Sequence, residues 1–387
     1  MKWQSLVATR SRAGDSKPHV PVFGISQNKV TARTIGLNPA EFFVECFLHE
    51  GTIDKVSRGL TAGMITPDGN RMGSEFDCVV CGEICVDLTI GPIDRSRPLA
   101  HQQTARIEPV LVGTGGIVSN SGLALACMQQ KSIALGCIGT DNWGQQLESQ
   151  LVRGGLDTSA LIRVPECATS VTAILVDETG EHNFAFHAGA SAEISAQMIR
   201  DAFPLLEQSA FILFGYYGLF QHLHDELPGL LKEIQRLGCR TALDAAAGGG
   251  SLEPLNRMLP HLDVYVPSRE EALAQTGQSD PRDMIRVFRK FAPNALLGVK
   301  LGAAGALLSP SAEQWIEVAP LRPPAAIVDT TGAGDCFYAG LLTALNLNCT
   351  VEEAGRLAAA AGAYSVTARG ATVGLPDFDE LRRMADL

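Results

Sequence analysis

The sequence predicts an α/β protein built on a mostly parallel sheet, with helices on both faces and a small β lid. From Phe76 onward, short apolar runs punctuated by glycine alternate with segments of helical period, the rhythm of strands and helices taken in turn. One stretch breaks that rhythm. Ser170 to Val176 and His182 to His187, two runs of β character, flank the turn signal Glu178-Thr179-Gly180. Third, 46% hydrophobic and 19% charged residues in 387 suit a large globular unit and not a disordered chain.

The strand candidates are 76 to 81, 109 to 113, 132 to 138, 210 to 214, 240 to 244, 263 to 266, 296 to 300 and 325 to 329, each short and apolar enough to be buried on both faces of a parallel sheet. Helices are expected over 117 to 130, 144 to 153, 335 to 345 and 351 to 367. The last opens with Thr350 and Glu353 at capping-box spacing. The 170 to 187 segment reads as an antiparallel hairpin. Together with the Pro- and Arg-containing stretch 84 to 108 it forms a sheet standing off the main one, suited to a mobile cover over a site.

Ahead of Phe76 the texture differs. Residues 1 to 75 hold nine Lys/Arg against seven Asp/Glu, so this leader stands at +2 and the remainder at −13. Its first forty residues carry six basic residues and one acid, Asp15, without sustained periodicity. They read as a poorly ordered extension or as an organellar transit segment, typically basic and acid-poor. Phe42, Phe43, Cys46 and Phe47 recur at helical spacing and predict a short helix within 40 to 66. The domain division is thus a 1–75 extension and a 76–387 body.

A net charge of −11 opposes a polyanion, which disfavours nucleic-acid partners. No apolar run approaches the ~18 residues of a membrane span, and no signal-peptide block opens the chain. Ten cysteines in 387 residues are too sparse for a disulfide scaffold. A cytoplasmic protein is expected. Cys78-x₂-Cys81-x₃-Cys85 lacks a second pair at zinc spacing and lies on a buried-strand pattern, so it is read as packing. His182 and His187 are read as solvated hairpin positions. No Gly-Lys dipeptide exists, which excludes a Walker A loop.

The chemistry-bearing signal is Asp329 followed by Thr330-Thr331-Gly332-Ala333-Gly334-Asp335 and the apolar helix from Cys336. A small-residue turn at a helix start presents unpaired N–H groups and the positive end of the macrodipole, which suits a phosphate or a developing anion.

The stretch 329 to 337, Asp-Thr-Thr-Gly-Ala-Gly-Asp-Cys-Phe, resembles the second signature of the PfkB carbohydrate kinase family. Roughly two hundred residues upstream, Gly115-Gly116-Ile117-Val118-Ser119-Asn120, Leu135-Gly136 and Gly139-Thr140-Asp141-Asn142-Trp143-Gly144 resemble the first. The likeness covers about 76 to 387, including Gly82-Glu83-Ile84-Cys85-Val86-Asp87 on the first strand and Val299-Lys300-Leu301-Gly302-Ala303-Ala304-Gly305 before the second signature. It implies a ribokinase-like three-layer α/β/α sandwich whose lid comes from about 84–113 and 168–190.

The resemblance also implies an ATP-dependent kinase acting on a primary hydroxyl of a sugar or sugar-like molecule. By position, Gly332, Ala333 and Gly334 form the anion hole and Asp335 is the general base. Asp87, Gly115, Gly116 and Asn120 face the acceptor, and Lys300, Gly302 and Gly305 line the nucleotide phosphates. Glu271, in Pro267-Ser268-Arg269-Glu270-Glu271, matches the Glu of an Asn-x-x-Glu element that organises Mg²⁺ through water, with Ser268 in place of the Asn. Potassium-activated members carry a monovalent cation near the position of Asp329, but Gly374 falls where those members often have Ser. Ile117 replaces the Lys of ribokinases proper. A nucleoside kinase on the same fold and a catalytically silent sugar-binding protein are the rival readings; the intact Asp335 turn counts against the second. Open lid edges would favour a homodimer.

Overall fold

The computed structural model describes residues 23–26, 29–32, 74–94, 106–179, 181–246 and 250–387. The chain divides into two compact units, Met1–Met64 and Ile65–Leu387. In the first, β1 (Phe23–Ser26) pairs antiparallel with β2 (Lys29–Ala32), a hairpin that the polar texture of the leader does not announce. The helix expected within 40 to 66 lies outside the described residues.

In the second unit, six strands run parallel: β3 (Phe76–Gly82), β6 (Ser132–Leu135), β11 (Ser209–Gly215), β12 (Arg240–Leu243), β13 (Val264–Tyr265) and β14 (Leu296–Lys300). β15 (Ala306–Ser311) and β16 (Gln314–Val318) extend the sheet antiparallel beyond β14, giving the order β16-β15-β14-β13-β12-β11-β3-β6. Four further strands, β4 (Cys85–Ile90), β5 (Leu111–Gly115), β9 (Val171–Val176) and β10 (His182–His187), form the lid in the order β10-β9-β4-β5. A short parallel pair, β7 (Cys137–Ile138) and β8 (Ile162–Arg163), completes the set.

Alternation along the strands creates the layers. On β11, Phe211 and Leu213 point into one core while Ile212 and Phe214 point into the other; on β3, Cys78 and Val80 divide from Val79 and Cys81 in the same way. Helices α1 (Gly116–Cys127), α6 (Ala333–Asn346) and α7 (Val351–Ser365) cover the first face, through side chains such as Ile117, Leu341 and Leu357. Helices α3 (Leu227–Arg236), α4 (Arg269–Thr276) and α5 (Pro281–Arg289) cover the second, through Leu230, Ala272 and Phe288. α2 (Asn142–Arg153) is capped by Asp141, which accepts from the Gly144 amide. Thr350 and Glu353 form the expected capping box on α7.

Three strand expectations need correction. The segment 325 to 329 is not a strand: Ile327 and Val328 are 65% and 53% exposed, and the Val328 and Asp329 amides donate to the single carbonyl of Val366. Pro323 and Pro324 remove two ladder donors just before it, and the sheet edge beyond β14 is already taken by the β15–β16 hairpin. The run at 109 to 113 is displaced to 111–115 and belongs to the lid, antiparallel to β4. The run at 132 to 138 divides at Gly136, where a Cβ would stand 3.1 Å from Ile84 Cγ2. Among the described residues no helix is long and apolar enough to cross a membrane.

Candidate active site

The parallel strands deliver their polar residues at their carboxyl ends, the edge at which open α/β sheets bind ligands. Glu83 follows β3, Tyr216 follows β11, Asp244 follows β12, and Lys300 ends β14. The lid begins directly from the first of these: β4 carries Asp87, which sits opposite Gly113 on β5.

On the lid side, glycines make room for carboxylates. A Cβ on Gly115 would fall 2.3 Å from Asp87 Oδ1, and one on Gly116 would fall 2.1 Å from Glu83 Oε2. Gly116 also has φ +78°, open to glycine at little steric cost. Burial pushes the Asp87 carboxyl up to about 6, against hydrogen bonds from Cys85 and Thr172 and with the added repulsion of Asp329. Burial likewise lifts Glu83 to about 8, reinforced by Asp87, and its Oε1 has no hydrogen-bond partner.

The Gly-Ala-Gly-Asp turn opens α6. Gly332 adopts φ +76° and backs onto Ala371, whose Cβ lies 2.2 Å from where a Gly332 Cβ would stand. Asp335 is buried, and its Oδ2 accepts two hydrogen bonds of 2.8 Å, one from Asn120 Nδ2 on α1 and one from the Tyr216 hydroxyl. Ser121 Oγ donates to the Asp335 carbonyl at 3.1 Å, locking α1 to α6. Burial raises the Asp335 carboxyl above its usual range, against the lowering effects of Asn120, Tyr216 and Lys300.

Lys300 reaches the same turn. Its Nζ lies 3.0 Å from Asp244 Oδ2, 5.1 Å from the centre of the Tyr338 ring, and 3.1 Å from where a Gly334 Cβ would be. Burial opposes its charge, yet Asp244 and Glu271 outweigh burial and keep the ammonium protonated. A cleft of about 440 Å³ runs from Tyr216 and Asp335 past Lys300 and Gly302 to Glu270 and Glu271.

The structure thus brings Asp335, Gly332, Gly334, Lys300, Gly302 and Glu271 to one cleft. Asn120 joins it through Asp335, with its amide donor already engaged there. Ala333 is the first residue of α6, between the two lining glycines. Gly305 is not at the cleft; its Cβ position falls 2.0 Å from the Val318 carbonyl, so its place is in the turn into β15. Ser268 caps α4, and Glu271 Oε2 accepts from the Ser268 amide at 2.7 Å in a capping box. Asp329 accepts from the Thr331 amide on Oδ1 at 2.9 Å and from the Gly370 amide on Oδ2 at 3.0 Å.

Sequence reasoning assigned no role to Tyr216, Asp244 or Glu83. An acid closing the apolar run Thr241–Leu243 was a usable signal for Asp244, and Glu83 stands in the Gly82-to-Asp87 stretch that carries the resemblance. Tyr216 had none.

The sequence matches the description "pfkB family carbohydrate kinase" over residues 76–377. It is 27% identical to a ribokinase of Haemophilus influenzae over 276 residues, covering 70% of this chain and 86% of that protein. It is 29% identical to a fructokinase of Vibrio alginolyticus over 296 residues, covering 70% and 90%. It is 28% identical to an aminoimidazole riboside kinase of Salmonella typhimurium over 283 residues, covering 69% and 86%. Arabidopsis thaliana ribokinase complexed with ribose and ATP superposes with TM-score 0.70 at 20% identity, covering 81% of this chain and 99% of that one. An Escherichia coli chain described as a ribokinase II in complex with ATP and Mg²⁺ does so at 0.68 and 23%, covering 80% and 99%. With the family match spanning most of its length and the Gly-Ala-Gly-Asp turn meeting the sheet's carboxyl edge, the chain belongs to the pfkB family and is an ATP-dependent carbohydrate kinase.

Proposed function

We propose that the protein transfers the γ-phosphoryl group of ATP to a primary hydroxyl of a sugar or sugar-like acceptor, with Asp335 as the general base. The observation that carries this reading is the carboxylate itself. It is buried at the start of α6, pinned on Oδ2 by two donors, and 3.1 Å separates the Lys300 ammonium from the Gly334 Cβ position in the same turn. Phosphoryl transfer asks chiefly for positioning and for charge stabilisation on the equatorial oxygens. The amides of Gly332 and Gly334 at the helix start and the Lys300 ammonium supply both, while the Ala333 amide is turned to the Thr330 carbonyl at 3.3 Å. Asp335, made more basic by burial, takes the proton from the acceptor hydroxyl as the O–P bond forms and the bond to the ADP leaving oxygen breaks. Asp87, held at the lid's base, is placed to accept from other acceptor hydroxyls.

Among the described residues no cluster of three His, Cys, Asp or Glu side chains could hold a metal on its own. The two cleft carboxylates, Glu270 and Glu271, suit Mg²⁺, which keeps several waters and binds through one or two carboxylates plus substrate phosphates. Glu271 and Glu270 at the cleft would hold it through water, and when bound it neutralises phosphate charge. Asp329 engages both oxygens with backbone amides, which favours a bracing role over a potassium ligand. A homodimer through the lid finds support in its outer strand β10, where Phe184 and Phe186 are 57% and 46% exposed.

A nucleoside acceptor is the second reading, favoured by the likeness to a riboside kinase. The deciding experiment is an ATP-consumption screen over ribose, fructose, 2-keto-3-deoxygluconate, adenosine, inosine and pseudouridine, run with wild type and Asp335→Asn. Turnover with a sugar and its loss in the variant support the assignment. Turnover with none of the six, or equal turnover in the variant, would overturn it.

A further inference from the structure

Tyr216 stands where the local rules of the chain would not put it. It is a bulky aromatic residue with φ +59° and ψ +37°, the left-handed region that non-glycine residues seldom enter and that clusters at functional sites. Its neighbours impose this conformation. The Tyr217 amide donates to the Asp244 carbonyl at 3.3 Å and the Gly218 amide to the Ala245 carbonyl at 3.2 Å, so the turn after β11 is bound to the turn after β12. The Leu219 amide closes back on the Tyr216 carbonyl at 2.9 Å. Before it, Gly215 lies against Ile117, whose Cδ1 is 2.2 Å from where a Cβ would sit, so the chain cannot relax toward α1. The outcome of this constraint is one contact: the phenol hydroxyl on Asp335 Oδ2 at 2.8 Å.

Asn120 donates to that same oxygen from α1, at 2.8 Å. Asp335 Oδ1 takes no hydrogen bond among the described residues, and the residue lines the cleft. A carboxylate with one oxygen fixed twice and the other open has a single productive orientation. We propose that Tyr216 is a positioning residue for Asp335, its hydroxyl holding Oδ2 beside Asn120 so that Oδ1 is the oxygen presented to the acceptor hydroxyl. The inference rests on the reading of Asp335 as base. It also gives Asp244 a double part, since the side chain of that residue holds Lys300 while its carbonyl holds the Tyr216 turn.

The groups facing Asp335 are Asn120 from α1, Tyr216 from the β11 turn, Lys300 from β14, Glu271 from α4, Asp244 after β12 and Glu83 after β3. Lys300 and the two hydrogen bonds favour the charged carboxylate; burial and the three acids oppose it. Removing the phenol hydroxyl therefore removes support for the charged form. The base then protonates at higher pH, and the acid limb of the rate profile moves upward.

The test is Tyr216→Phe, which keeps the ring and the backbone, measured beside Asp335→Asn with ATP and whichever compound of the six-member panel turns over best. We expect kcat to fall roughly 10-fold near neutral pH, as for loss of one hydrogen bond to a charged group. We also expect an upward shift of the acid limb, an unchanged KM for ATP, and an unfolding midpoint lowered only at pH above that limb, where the charged carboxylate has lost a donor. An acid limb that stays in place, whether or not kcat falls, would overturn the proposal, because a packing role does not titrate the base. So would a lowered acceptor KM with undiminished kcat, which would mean that the hydroxyl merely occupies the acceptor's place. Failure of the base assignment is separate: it would show as turnover retained in Asp335→Asn.

Discussion

Replacing Lys300 by Met tests whether the ammonium in the cleft is structural, catalytic or both. The lysine and Asp244 form a 3.0 Å pair whose side chains are 12% and 5% exposed. Removing one partner of such a pair costs about 3–5 kcal/mol while the other remains charged. Asp244 has an escape, because burial already raises its carboxyl and Lys300 is the main influence holding it down. Without Lys300 it rises further and takes a proton when the pH allows. A carboxyl whose folded-state pKa lies above its unfolded value of ~3.9 makes the unfolded chain the poorer proton binder, so stability falls as pH rises, by ~1.4 kcal/mol per unit. Lys300→Met should therefore be near wild-type stability in mild acid. It should lose stability steadily through neutral pH, toward a plateau of about 3–5 kcal/mol. Adding Asp244→Asn should remove most of that slope, leaving the smaller part that comes from Asp335, which Lys300 also holds down, and should recover most of the stability, giving a coupling of one to a few kcal/mol in a double-mutant cycle. Neither variant should recover activity, since losing a charge donor at a transferring phosphoryl group costs ~10²–10³-fold in kcat. Denaturant unfolding at several pH values and steady-state kinetics read both arms. A pH-independent loss in Lys300→Met would refute the buried-pair argument, and wild-type kcat in the double variant would refute the catalytic one.

Asp335→Asn should lower kcat by at least ~10²-fold while nucleotide binding, measured by calorimetry, and the unfolding midpoint hardly change, because the shape survives and the proton acceptor does not. Asp87→Ala should reduce kcat/KM for the acceptor by roughly 10–100-fold with little effect on the KM for ATP; equal weakening toward both substrates would indicate a folding defect. A chain lacking residues 1 to 70 should fold and retain kinase activity, since β3 and the family match both begin at residue 76. An insoluble or inactive product would show that the leader completes the fold or the site.

The sequence was most legible where local chemistry and tertiary demand agree. β3, β11 and β14 are buried along nearly their whole length and read directly from apolar runs; the α7 cap is a two-residue motif. Gly332 needs positive φ, and only glycine meets that need at low cost, so the turn announces itself. Apolar content reports the wish to be buried but not whether a ladder partner exists. That is why 325 to 329 read as a strand while the β15–β16 hairpin, interrupted by Pro310 and a register shift, did not. Tyr216 was hidden for the opposite reason. An aromatic residue at φ +59° contradicts its own propensity, and the forces that hold it come from Asp244, Ala245 and Ile117, distant in the chain. Asn120 was expected to face the acceptor, whereas its contact with Asp335, 215 positions away, is a product of the packing of α1 against α6 that no local pattern carries.

The two glycines at the lid's root constrain how this site can be altered by descent or by design. The space that a side chain would need at Gly115 is filled by the carboxylate of Asp87, and at Gly116 by both the carboxylate and the backbone carbonyl of Glu83. Gly115 can accept alanine only if Asp87 is moved or changed in the same step, whereas no change of the Glu83 side chain frees Gly116, which its positive φ and the Glu83 backbone both hold to glycine. A change routed through Gly115 is therefore a concerted double substitution with Asp87, with an impaired single mutant between the two ends, and Gly116 is closed to such a route.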